Sequence, residues 1–136
     1  MENINRELLI NEITEKIIGC AFTVSNTLGC GFLEKVYENA LLLELKSVEL
    51  KAVQQKPIDV YYRGNLIGEY VADLLVEDKV LVELKTVQGF DDTHFAQCLN
   101  YLKATGFEIC LLFNFGKPEL QIKRLVARKE WLKNEV

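Results

Sequence analysis

The stretch ADLLVEDKVLVELKT, residues 72–86, decides how this chain folds. Ala72, Leu74 and Val76 alternate with other residues before a polar break, and Val80, Val82 and Leu84 alternate after it. Alternation on both sides of a break marks two strands joined by a turn. Residues opposed in a hairpin share a face, so the two apolar sets must pair. A three-residue loop at Glu77-Asp78-Lys79 achieves this, whereas a two-residue loop would set Asp73 among the core valines. In the resulting register Val76 opposes Val80, Leu74 opposes Val82, and Asp73 lies across from Glu83. Lys85 projects from the same face, one step further on.

Two carboxylates facing each other across a ladder repel, and burial raises the cost of ionising both. A cation resolves the conflict. An oxygen-only donor set, with no His or Cys nearby, suits a hard ion such as Mg²⁺ or Mn²⁺. Beside such an ion, Lys85 can orient a water or steady charge on a phosphate. On repulsion alone, removing one carboxylate is expected to raise metal-free stability slightly. The same residues also fit a plainer arrangement, a solvated outer face with a Glu–Lys pair. Leu75 and Leu81 share that face and indicate that something covers part of it.

Working outward, Gly89 opens a loop, Asp91 or Asp92 can cap a helix over about 91–105, and Gly106 can end it. Residues 108–115, EICLLFNF, are apolar nearly throughout, as in a strand buried on both faces. A helix between two strands implies a right-handed crossover, so strands 80–86 and 109–115 should run parallel and side by side. An alternating strand through Leu120, Ile122, Arg124 and Val126 follows, then a short helical tail. Upstream, apolar residues recur at helical spacing from Ile4 to about Leu28, and Gly29-Cys30-Gly31 stops that helix. A second helix runs from Phe32 to about Lys46. A strand over roughly 57–62 turns at Gly64-Asn65 into another over 67–76, with Pro57 and Pro118 where strands can begin. The expected order is α-α-β-β-β-α-β-β-α, an α/β fold with a mixed sheet flanked by helices.

On the 91–105 helix, Phe95, Cys98, Leu99 and Leu102 form the core stripe, and His94, Gln97 and Tyr101 align roughly opposite. Aimed at the end of the Glu83 strand, Gln97 and Tyr101 can hydrogen-bond a phosphate, a water or a carboxylate ligand. A half-exposed helix face is the plainer alternative, and the better one for His94.

The 136 residues, 49% apolar and 26% charged, read as one globular domain over 1–136. Sixteen Lys+Arg against twenty Asp+Glu leave a charge of −4, so nucleic-acid binding has to come from local placement of charge. Arg63, Lys103 and Arg124 are the first candidates to meet a phosphate backbone, followed by Lys117, Lys123 and Arg128; ordinary solvated surface is the alternative. Cys20, Cys30, Cys98 and Cys110 form no CxxC pair and read as buried free thiols of a reducing compartment. No apolar run approaches a membrane span, and the N-terminus has no basic or apolar leader region. The expectation is a soluble, cytoplasmic protein that makes no membrane contact.

Several stretches occur together: GFLEKVY (31–37), QKPI (55–58), YRG (62–64), residues 72–86 above, AQCLNYLKATG (96–106) and LLFNFG (111–116). From about Ile13 to about Val126 the chain thereby resembles the GxxExxY family of the PD-(D/E)XK nuclease superfamily. The resemblance implies a restriction-endonuclease-like fold and a Mg²⁺- or Mn²⁺-dependent nuclease, with DNA as the first expectation for substrate. The superfamily's helical glutamate matches Glu34, its strand aspartate Asp73, and its ExK triplet Glu83-Leu84-Lys85. The resemblance implies that Asp73, Glu83, Glu34 and the Leu84 carbonyl hold the metal, while Lys85 assists the attacking water. Its QxxxY signature, found in RecB-like and lambda-exonuclease-like members, resembles Gln97 and Tyr101. Taken alone, Glu34 reads only as a helix-dipole partner. The alternative function is a catalytically weak nuclease-fold module that binds a protein partner or nucleic acid, with Trp131 and Leu132 as docking residues. Assembly into a homo-oligomer is a further expectation.

Overall fold

The computed structural model describes residues 2–132. Helices α1 (Glu2–Leu28) and α2 (Glu34–Ser47) precede strands β1 (Ala52–Tyr62), β2 (Asn65–Val76) and β3 (Val80–Lys85). Helix α3 (Asp92–Thr105) crosses to β4 (Ile109–Asn114), and β5 (Gln121–Val126) completes the sheet. The tail forms a single 3₁₀ turn at Lys129–Trp131, and residues 133–136 lie outside the described part. The sheet order is β1-β2-β3-β4-β5. Pairing is antiparallel except between β3 and β4, the two strands joined through α3.

The three-residue loop is present. Val76 pairs with Val80 and Leu74 with Val82, and Glu77 and Asp78 both take positive φ. The first hairpin turns one residue earlier than expected. Tyr62 pairs with Asn65, and Arg63 and Gly64 stand between them at φ 50° and 77°. Two successive positive φ values give the primed turn that matches strand twist. Strand β1 also begins earlier, at Ala52, so Pro57 lies within it. An edge strand tolerates this, because a missing N–H there need not interrupt the ladder.

Each sheet face carries its own apolar cluster. One packs Leu74, Val76, Val80, Val82 and Leu84 against α1 and α2. The other packs Leu75, Leu81, Cys110 and Leu112 under Cys98 and Leu102 of α3. Helix α3 is therefore the cover that Leu75 and Leu81 called for. Ala72 departs from the expected pattern, since it packs with Ile58 and Leu75 on the α3 side. The strand thus changes sides at Asp73. Across from Asp73, the register places Gln55 without a ladder partner and at φ 54°, a left-handed residue that interrupts the pleat. All four cysteines are free; Cys20, Cys98 and Cys110 are buried as expected, but Cys30 is exposed in the turn between α1 and α2.

Candidate functional site

Strands β2 and β3 pair as far as Leu74 and Val82, and the next step would oppose Asp73 and Glu83. There the two side chains take over from the ladder. The Asp73 amide donates to Glu83 Oε1 at 2.8 Å, and the Leu84 amide donates to Asp73 Oδ2 at 2.8 Å. Repulsion is therefore only part of the interaction, because each carboxylate is anchored by an amide of the opposite strand. Truncating Asp73 strips the Leu84 amide of its acceptor, so the stability gain expected from relieved repulsion does not follow from this geometry.

Glu34 reaches the same place from α2. The preceding turn is folded by Tyr37, whose buried hydroxyl donates to the Gly29 carbonyl at 2.7 Å and accepts from the Phe32 amide at 3.2 Å. Its ring stacks on Phe115, with centroids 4.8 Å apart. This sets Glu34 as the first residue of α2, near the end of β3, where Lys85 and the Thr86 backbone favour its charged form and Asp73 opposes it. The exit of β3 is clamped in turn. Buried Asn114 accepts from the Val87 amide at 3.0 Å and donates to the Val87 carbonyl at 2.9 Å. Gly116 passes so close that a Cβ there would lie 2.6 Å from Val87 N.

Burial is the leading cause that raises the pKa of Glu34, Asp73 and Glu83 alike. Glu83, the deepest, is pushed up to about 8, with the Asp73 charge as the next cause. Lys85 pulls all three back down. Among the described residues, no three His, Cys, Asp or Glu side chains form a ready-made metal-binding group. The donor chemistry nevertheless fits a hard cation: three carboxylates, each disfavoured when ionised, with only oxygen to offer.

Two residues absent from the expected set belong here. Gln55 Nε2 donates to Glu38 Oε1 at 2.8 Å, and its amide also hydrogen-bonds Asp73. Buried Glu38 accepts at Oε2 from Lys35 Nζ and Gln54 Nε2, each at 2.7 Å. A chain from α2 through β1 thus supports Asp73. The spacing of Glu34 and Glu38 on one helix face is the visible signal for the second; Gln55 depends on a register that a bulge between Val60 and Tyr61 shifts.

A family model for the PD-(D/E)XK nuclease superfamily matches residues 11–125. The chain belongs to the PD-(D/E)XK nuclease superfamily. No curated protein and no solved structure matches it. The five-stranded mixed sheet between helices agrees with the PD-(D/E)XK fold, and membership supports a nuclease-like function with nucleic acid as partner. No helix among the described residues is long and apolar enough to cross a membrane.

In this PD-(D/E)XK chain the α3 residues separate. Tyr101 is buried with Cys98 and Leu102, and so does not lie opposite the core stripe as expected. Burial, then the Glu83 charge, raise its phenol pKa. Gln97 stands half-buried beside it, while Phe95 and Leu99 are only partly covered. His94 serves the start of α3, where its Nδ1 accepts from the Asp91 amide at 3.1 Å in a capping box. Arg63 sits at the tip of the first hairpin over the Tyr62 ring, and Lys103 lies over the Trp131 ring. Arg124 donates to Asn11 Oδ1 at 3.0 Å on α1. Trp131 and Leu132 are half-buried rather than exposed.

Proposed function

We propose that residues 1–136 form a single nuclease-like domain that hydrolyses phosphodiester bonds in DNA with the help of Mg²⁺ or Mn²⁺. The observation that carries this reading is the parting of β2 and β3 at Asp73 and Glu83, where Glu34 and Lys85 join them. Asp73, Glu83, Glu34 and the Leu84 carbonyl would hold the ion, which when bound supplies Lewis acidity and a nucleophilic water. Backbone amides fix Asp73 and Glu83 before any ligand arrives, which limits the reorganisation that binding requires. Glu83 must give up the proton that burial makes it keep. Lys85 donates to the water or to a phosphate oxygen and offsets charge that grows there. Gln97 and Tyr101 approach from α3 as donors to the phosphate.

The stretch from Gly31 to Tyr37 supports placement in the GxxExxY family, and Gln97 with Tyr101 supports a RecB-like or lambda-exonuclease-like relationship. Arg63 and Lys103 meet phosphates by leaving the Tyr62 and Trp131 rings, and Arg124 by leaving Asn11. A cytoplasmic location and a homo-oligomer or protein partner complete the proposal. The test is incubation with linear, nicked and single-stranded DNA in Mn²⁺, Mg²⁺ or chelator. Cleavage should appear with either ion and vanish with chelator and in Asp73→Asn. Folded wild-type protein that cuts none of these substrates with either ion overturns the proposal. A second reading, a catalytically weak module that binds a partner, is favoured by the lack of a ready-made metal group among the described residues. It predicts no Mn²⁺ binding.

A further inference from the structure

A groove of about 770 Å³ lies between the first hairpin and α3, a size in the range of sites that bury a ligand. Its hairpin wall is aromatic: Tyr61 is 61% exposed and Tyr70 51%. The helix wall includes the small Ala96, the amides of Gln97 and Asn100, and the cation of Lys103. Tyr101 lies at the inner end, its ring centroid 5.8 Å from that of Tyr70, and it senses the charges of Glu83 and Asp73. Tyr101 thus lines the groove and lies within reach of the charges of the acidic site.

The chemistry of the walls selects the occupant. Open tyrosine faces in a groove match flat partners, and a base inside a duplex has both faces already stacked. An unpaired base has a face to offer. The Gln97 and Asn100 amides each carry donors and an acceptor, as base edges do. Asp59 within the groove repels phosphate, whereas Lys103 attracts it. Bases are thus favoured inside and the backbone along the lysine side. We propose that this groove binds the unpaired nucleotides of a single-stranded nucleic acid, stacking bases on Tyr61 and Tyr70 and leading the strand to Asp73 and Glu83. The assignment rests on the nuclease reading above and adds the substrate class to it.

The test is fluorescence anisotropy in chelator with labelled oligothymidylate and oligouridylate of about 12 nucleotides, within the site sizes of single-strand binders, and with a DNA duplex of equal length. Wild-type protein should bind a single strand about tenfold or more tightly than the duplex. Tyr61→Ala combined with Tyr70→Ala should weaken single-strand binding by about tenfold or more, while the paired Phe substitutions retain it. Tyr61→Ala alone, at an exposed side chain, keeps the test decisive if the double variant fails to fold, and should itself weaken binding severalfold. The ratio of the two oligonucleotides tells DNA from RNA. Preference for duplex, no binding of either strand, or binding unchanged in Tyr61→Ala overturns the proposal. Mn²⁺-dependent cleavage measured in parallel separates the two claims. Cleavage with tyrosine-independent binding removes the groove and leaves the nuclease, whereas tyrosine-dependent binding without cleavage does the reverse.

Discussion

Asp73 and Glu83 are joined through the backbone: the Asp73 amide donates to Glu83 Oε1 at 2.8 Å, at the point where β2 and β3 stop pairing. The bond holds a buried carboxyl group in place without neutralising it. Burial and the neighbouring Asp73 charge leave Glu83 titrating at about 8. The conflict between anchoring and charge is what a cation would relieve.

Stability should consequently fall as pH rises in the absence of metal. Unfolded Glu83 loses its proton near 4.5 and folded Glu83 near 8, so between these values the fold holds a proton that the unfolded chain has released. The raised values of Asp73 and Glu34 act in the same direction. Thermal melts in chelator should show Tm dropping from about pH 5 to about pH 8. Glu83→Gln should flatten that slope and be more stable at the upper end by about 1 kcal/mol or more. Parallel slopes in the two proteins would mean that Glu83 does not carry the shift.

Tyr37→Phe removes the hydroxyl that closes the turn before α2 and keeps the ring against Phe115. The Gly29 carbonyl and Phe32 amide lose their partner, and stability should drop by about 1–3 kcal/mol in denaturant melts. Glu34 is then held less firmly, so Mn²⁺ affinity and cleavage should fall together.

Lys85→Ala should separate binding from chemistry. Lys85 opposes the pKa rise of all three carboxylates, so its loss leaves them more repulsive and no less attractive to a divalent ion. Calorimetry should give Mn²⁺ affinity at alkaline pH equal to or above wild type. Cleavage should fall by about a hundredfold or more. Loss of both would assign Lys85 to folding.

Gly116→Ala tests the clamp at the exit of β3. A Cβ 2.6 Å from Val87 N and 2.6 Å from Val87 O cannot be accommodated without moving backbone. The expected destabilisation is about 2 kcal/mol or more, with reduced cleavage because Thr86 and Val87 follow directly on Lys85. Wild-type stability would show that the close approach is dispensable.

Much of this is legible in the sequence because period-two patterning fixes faces. Leu74, Val76, Val80 and Val82 allow one loop length, and the loop sets Asp73 at the level of Glu83. Element ends are displaced by a few residues from their expected positions, chiefly at β1, where an edge strand hides a proline. The failures arise where the backbone leaves its regular path. Ala72 changes sides because the pleat breaks at Asp73 and Gln55, and no residue type announces a left-handed glutamine. Gln55 is hidden further by the bulge between Val60 and Tyr61, which offsets any count made from the turn. Helical spacing sets Tyr101 opposite the core stripe, but an apolar ring with a polar tip fits a buried wall as well as a wet one. Cross-strand amides to Asp73 and Glu83 cannot be read from spacing, since they exist only where the ladder opens.

Whether Asp73, Glu83 and Glu34 hold a divalent ion decides what this site can do. Isothermal titration of metal-free protein with Mn²⁺ above about pH 8, where Glu83 is ionised, measures this directly. Wild-type protein should bind with proton release that grows as the starting pH is lowered, and Glu83→Gln, folded by circular dichroism, should not bind. Equal heats from wild type and Glu83→Gln would contradict the account.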